Sequence, residues 1–275
     1  MNALHQYISS AMSSSVLYKC THQRSFIFLN IKNQTAVSKL FSTSRCHQKI
    51  IPKNLKGMKK SSQMWLKRQL NDPYVEKAKM EHLRCRSAFK LLEIEDKHKL
   101  FKPGDIVIDC GAAPGSWSQV AVERVNATRT DLNSPQGVVI SIDLDYIAPL
   151  VGANILDKSD FTHENTQNEV LHILDGRKAD IVLSDMAPKA SGVKFMDHDL
   201  IIGLCFSVLK FSVGVLKEGG IVLCKLWQGS DQTKLEGVME NMFNKTRVIK
   251  PPASRSQSAE VFLLGQGFRG IKQPN

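Results

Sequence analysis

Short, nearly all-apolar runs return along this chain with helical stretches between them, and that alternation limits its fold more than any other feature. DIVIDC (105–110), GVVISID (137–143), ADIVLSD (179–185) and GGIVLCK (219–225) each read as a strand buried on both faces. GANILDKSD (152–160) reads as a shorter third strand, and RVIKP (247–251) and EVFLLGQGF (260–268) as the last two. Helices are expected over 73–100, from about Ser116, over 162–174, from an Asp197 cap through Leu216, and over 231–243. Strands alternating with helices give a parallel sheet covered on both faces. The expected architecture is therefore α/β, a Rossmann-like doubly wound sheet of seven strands. At 275 residues the chain has room for one such domain plus extensions.

The charge is uneven. No Asp or Glu precedes Asp72, while residues 1–71 hold 12 of the 37 Lys and Arg; the whole excess of +11 lies at the front. Residues 1–48 contain 12 Ser and Thr and five basic residues, the composition of a mitochondrial presequence, with FSTSRCHQ (41–48) near its processing site. Residues 49–71 add seven basic residues, an arm suited to RNA phosphates, with Trp65 and Leu66 as its anchors to the body. Residues 72–275 form the folded domain. The six cysteines include no CxxC pair, which argues against a zinc site and against a disulfide framework. The longest apolar run, GLCFSVLKFSVGVL (203–216), is interrupted by Lys210 and reads as a buried helix, so no transmembrane segment is expected.

In a doubly wound sheet the ligand sits at the carboxyl ends of the strands. Here the turn after the first strand is DCGAAPGSW (109–117). It is neither a G-x-G-x-x-G dinucleotide fingerprint nor a P-loop. Gly111 and Gly115 admit a ligand close to the backbone, and a wider turn with a proline inside it suits a ligand without phosphate, such as S-adenosylmethionine. Asp143, at the end of the second strand, can accept both hydroxyls of a ribose, with Asp145 as its competitor. Asp160 and Phe161 are placed to meet an adenine. His198, between two acids in MDHD (196–199), reads as part of a helix start, and no metal is assigned.

GGIVLCKLWQG (219–229) places Lys225 where the apolar character has not yet ended. An ammonium among apolar side chains costs several kcal/mol unless compensated. Either its stem is buried and its head reaches water, or its proton affinity is tuned for chemistry.

Five blocks in order, RCRSAFKL (84–91), DCGAAPGSWSQVA (109–121), LSDMAPKASG (183–192), GGIVLCKLWQG (219–229) and SRSQSAEVFLLG (254–265), resemble the FtsJ-type (RrmJ-like) ribose 2′-O-methyltransferases, from about Asp72 to Phe268. RCRSAFKLLE and the acid-free front most resemble the mitochondrial branch, which modifies a uridine of the large-subunit ribosomal RNA. The resemblance implies the S-adenosylmethionine-dependent methyltransferase fold and that cofactor. It also implies a catalytic tetrad of Lys90, Asp185, Lys225 and Glu260. Its cofactor contacts fall on Pro114, Gly115, Ser116, Trp117, Asp143, Asp160, Phe161 and Asp185. Two departures are Ser116, where relatives usually carry Gly or Ala, and Lys189, where they often carry Asn.

The implied reaction is attack by a ribose 2′-hydroxyl on a sulfonium methyl, with no metal. Lys225 acts either as the base, if desolvation and Lys90 lower its proton affinity, or as the group that orients the hydroxyl. The implied partner is mitochondrial large-subunit rRNA or the assembling large ribosomal subunit, not DNA. The implied setting is the mitochondrial matrix, the enzyme acting as a monomer. Competing readings are 2′-O-methylation of a transfer RNA or a messenger cap, and a non-catalytic rRNA-binding assembly factor.

Overall fold

The computed structural model describes residues 52, 55–188, 192, 194–229 and 231–270. The expected presequence and Lys189 lie outside the described residues. In chain order the elements are α1 (Lys60–Leu70), α2 (Pro73–Met80), α3 (Ala88–His98), β1 (Ile106–Cys110), α4 (Ser116–Arg124), β2 (Val138–Asp143), β3 (Ala153–Asp157) and α5 (Glu164–Leu174). They continue with β4 (Ala179–Ser184), α6 (Lys194–Val215), β5 (Leu216–Trp227), α7 (Gln232–Met242), β6 (Phe243–Ile249) and β7 (Glu260–Phe268).

The seven strands form one sheet in the order β3-β2-β1-β4-β5-β7-β6. Five strands, β3 through β5 in that order, pair in parallel. β7 pairs antiparallel with both β5 and β6, so the sheet is mixed rather than purely parallel. The cause is the last connection. β6 is joined to β7 by residues 250–259, which contain no helix, and a strand that returns without a crossover must run antiparallel.

Successive strand residues point to opposite faces, and the apolar strands fill both. Ile106, Ile108, Ile140, Val182, Val222 and Leu263 pack with Val170 of α5, Ile201 and Val208 of α6 and Met239 of α7. Val107, Val139, Ile181, Leu183, Leu223 and Phe262 pack with Leu91 and Ile94 of α3 and Trp117 and Val120 of α4. Helix α6 is long and apolar enough to cross a membrane by composition, with half of its Met196–Val215 stretch buried. Its Cys205, Leu209, Phe211 and Val215 pack into the first of these cores.

Two expectations change. The helix expected over 73–100 is two helices, α2 and α3. Asp72 caps α2 through the Tyr74 N–H, and His82, at φ 55°, turns the chain out of helical geometry. The arm contributes α1, in which no residue is fully buried; of its two expected anchors Trp65 is 49% exposed and Leu66 is partly buried.

Candidate active site

β4 and β5 end at the same edge of the sheet. Because β7 is antiparallel, it begins there, with Glu260 directly opposite Trp227 of β5. Asp185 is the first residue after β4, and Lys225 lies near the end of β5 on the face that carries Leu223 and Phe262. α3 packs on that face through Leu91 and Ile94 and brings Lys90 to the same edge. The four residues of the expected tetrad, far apart in sequence, therefore come together.

Lys225 Nζ lies 3.1 Å from Asp185 Oδ1 and also donates to the Asp185 carbonyl oxygen. Lys90 Nζ lies 3.6 Å from Asp185 Oδ1 and donates to Glu260 Oε2 at 2.7 Å. Asp185 thus bridges two ammonium groups, and two carboxylates balance them. The Lys225 side chain is only 9% exposed, so its head does not simply reach into water; the compensation its position demands comes from Asp185.

Two hydroxyls unforeseen from the sequence complete the cluster. Ser87 Oγ donates to Asp185 Oδ2. Ser254 Oγ donates to Glu260 Oε1 at 2.8 Å. Serines in loop-like stretches carry no signal that would single them out.

Beside this cluster lies the turn after β1. Gly111 and Gly115 have φ of 77° and 101°. A Cβ at Gly111 would run into the Met186 side chain, and the left-handed φ at both positions strains any larger residue. Asp143 Oδ2 accepts from the Ala113 N–H and Oδ1 from the Asp145 N–H, both at 2.8 Å. A carboxylate offers about four acceptor sites, so capacity for hydroxyl donors remains. Arg84 spans the turn's rim, donating to the carbonyls of Pro114 and Pro149 at 2.7 Å each.

The remaining expected cofactor residues divide. Pro114 is exposed, while Ser116 is buried and accepts from the Cys85 thiol at 3.1 Å. Trp117 is buried, donates from its indole to the Ser87 carbonyl at 2.9 Å and stacks near Phe262 with centroids 5.6 Å apart. It joins the turn to the floor of the tetrad. Asp160 Oδ1 accepts from Thr162 N–H and Oγ1. The Phe161 ring is buried edge-on against Phe211. His198 is buried and accepts at Nε2 from the Asp231 N–H at 3.2 Å, tying the start of α6 to the loop after β5.

Asp109, the penultimate residue of β1, was not singled out in the sequence. It is 1% exposed; Ser118 Oγ donates to its Oδ2 at 2.7 Å, and Ser141 Oγ donates to Ser118 Oγ at 2.8 Å. Its Oδ1 has no hydrogen-bond partner among the described residues. Burial pushes its carboxyl up to about 7; the Ser118 hydrogen bond opposes the rise, and the nearby Asp185 and Asp143 charges add to it. Like Lys225, it is an ionisable group near the end of an apolar strand, and that signal would have found it.

With acceptor capacity left on Asp143 beside the glycine turn and Asp109 Oδ1, unpartnered among the described residues, behind it, this edge fits a ligand with hydroxyls to donate, as the ribose of S-adenosylmethionine has.

Residues 83–268, more than half of the chain, match the FtsJ-like methyltransferase family. The chain is 50% identical over 219 residues to "rRNA methyltransferase 2, mitochondrial" of Drosophila melanogaster, covering 80% of this chain and 88% of that one. It is 47% identical over 218 residues to "Ribosomal RNA large subunit methyltransferase E" of Cereibacter sphaeroides, covering 79% and 88%. A crystal structure described as a ribosomal RNA methyltransferase, from Plasmodium falciparum, matches with a TM-score of 0.61 at 29% identity, over 68% of this chain and 100% of that one. The matched span takes in the sheet, the glycine turn and all four residues of the Lys90–Asp185–Lys225–Glu260 cluster, and the chain belongs to the FtsJ-like methyltransferase family.

Proposed function

We propose that this protein transfers a methyl group from S-adenosylmethionine to the 2′-hydroxyl of a uridine ribose in mitochondrial large-subunit rRNA, on naked RNA or in the assembling large subunit. The observation that carries this reading is the convergence of Lys90, Asp185, Lys225 and Glu260 beside the glycine turn. The names of the Drosophila and bacterial relatives support ribosomal RNA as the substrate class, and the former supports the mitochondrial setting.

S-adenosylmethionine bound at the turn supplies an activated methyl group. What remains for the protein is the nucleophile, a sugar hydroxyl that is mostly protonated at neutral pH. An ammonium has three donor positions; on Lys225 one of them donates to the Asp185 carbonyl, and the Asp185 carboxylate lies 3.1 Å away as its counter-charge. A remaining donor position would orient the ribose hydroxyl, and holding a nucleophile against its electrophile can by itself remove several kcal/mol of the barrier. In its neutral form Lys225 accepts the hydroxyl proton; in its charged form it stabilises the oxygen as charge develops there. Asp185 fixes Lys225, Lys90 balances Asp185 and Glu260, and Ser87 and Ser254 hold the two carboxylates in place. A pH–rate profile separates the two roles of Lys225: general-base action requires an ascending limb governed by the amine.

The test is a methyl-transfer assay on large-subunit precursor particles and on naked rRNA, read at nucleotide resolution. Lys225→Ala is expected to lose at least a hundredfold in turnover, the scale of a general acid–base or electrostatic group, with S-adenosylmethionine affinity within a few-fold of wild type. Near wild-type methylation by that variant would refute the assignment.

A further inference from the structure

A cavity opens beside the loop that joins β6 to β7. It measures about 800 Å³, within the roughly 300–1,000 Å³ range of ligand clefts. Its walls are α1, the start of α2 and the loop that joins β6 to β7. Lys67, Arg68, Arg86 and Arg255 line it, against a single acid, Asp72. That acid is already committed: it accepts from Arg86, from Arg255 at 3.1 Å and from the Tyr74 N–H at 3.1 Å. Its side chain is 8% exposed, whereas that of Arg255 is 39% exposed and Lys67 and Arg68 lie on the surface. The carboxylate therefore braces the partly exposed Arg255 from inside while Arg86 turns inward to Ala253, and four cations against one acid leave the cavity wall a net charge of +3.

The loop is braced as well. Glu93 of α3 accepts from the Ala253 N–H at 2.6 Å and from the Tyr74 hydroxyl at 2.9 Å, and Arg86 donates to the Ala253 carbonyl. One residue further on, Ser254 lines the cavity and donates to Glu260 of the tetrad. The cavity and the reaction centre are thus one hydrogen bond apart.

We propose that this cleft binds the single-stranded RNA segment adjoining the nucleotide that is methylated, its phosphodiesters on Lys67, Arg68 and Arg255. The inference rests on the tetrad being the methyl-transfer centre. Any ribose that reaches the tetrad within a chain brings a phosphate on each side, and the cationic cleft, whose loop touches Glu260 through Ser254, is placed to take one of those flanks. A cationic groove that tracks the backbone is a general means of holding a single strand. Preoriented arginine forks suit phosphate oxygens.

The experiment measures binding of a short fluorescein-labelled single-stranded RNA by anisotropy across a salt series, with S-adenosylmethionine affinity as the measure of an intact fold. Lys67→Glu/Arg68→Glu is expected to weaken RNA binding at least tenfold and to flatten the salt dependence by about 1.4, two phosphate contacts at ~0.7 each. Arg255→Gln is expected to weaken it about threefold or more. The same charge change at the far edge of the sheet, Lys97→Glu/Lys102→Glu, is expected to cost less than threefold. RNA affinity within twofold of wild type in the Lys67/Arg68 variant, or an equal loss in the far-edge control, overturns the proposal. Binding is read without turnover, so the proposed function fails separately: a wild-type protein that binds RNA through the cleft yet methylates no rRNA refutes that function and leaves the cleft standing.

Discussion

At the scale of single residues, Asp109 and Lys225 pose the same problem and solve it in opposite ways. Lys225 is buried with a counter-charge. Asp109 is buried with a hydroxyl and an oxygen left without a partner among the described residues. An unfolded aspartate titrates near 3.9, and in the folded protein burial pushes Asp109 up to about 7. Below about pH 4 both states hold the proton, and the folded state suffers no penalty. Between 4 and 7 the unfolded chain releases its proton while the folded chain keeps it, so this residue's contribution to stability falls as pH rises and is fully lost above 7. Asp109→Asn keeps an acceptor for Ser118 and has no proton to lose. In the ligand-free protein the gap in thermal stability between variant and wild type is expected to widen from pH 4 to pH 7, by about 4 kcal/mol at most. Parallel curves across that range would show that Asp109 does not hold a raised proton affinity.

At the scale of elements, the segment between α2 and α3 does more than connect them. Residues 81–87 leave helical geometry, and from this break Arg84 reaches the Pro114 and Pro149 carbonyls while Arg86 reaches Asp72. Arg84 thereby pins the rim of the glycine turn from outside. Arg84→Ala is expected to raise the KM for S-adenosylmethionine about tenfold and to leave kcat at saturation within about threefold, since no tetrad contact is touched. Unchanged KM and kcat would mean that the turn holds its shape unaided. This break was not legible beforehand. The stretch from Pro73 to Leu100 keeps an apolar spacing compatible with one long helix, and the partners that pull it apart lie 30 and 65 residues away from Arg84. β1, β2, β4 and β5 were legible because strands buried on both faces leave an unbroken apolar signature. The direction of β7 was not, because side-chain alternation reads the same whichever way a strand runs. In the site, Lys225 announced itself by being out of place in an apolar run, and the resemblance supplied its three partners. Ser87, Ser254 and the Arg84 tether are visible only once the fold has brought distant segments into contact.

At the scale of the whole molecule, a near-neutral catalytic body follows a wholly basic front. The proposed division of labour assigns residues 1–48 to import and residues from 49 onward to folding, RNA and chemistry. Residues 1–48 fused to a fluorescent protein are expected to direct it into the mitochondrial matrix, and a chain starting at Lys49 is expected to bind S-adenosylmethionine as the full chain does but to stay outside the organelle. Cytosolic fluorescence from the fusion would sink the import reading.

The insertion of β7 between β5 and β6 also makes the Lys90–Asp185–Lys225–Glu260 cluster depend on a late segment of the chain. Until the final strand arrives, β6 has no neighbour in the sheet and Lys90 lacks one of its two counter-charges. A nascent chain still emerging from the ribosome, or one clipped by a protease before Glu260, lacks a quarter of the tetrad however well its glycine turn has formed. The four-residue cluster is therefore incomplete until β7 has inserted between β5 and β6.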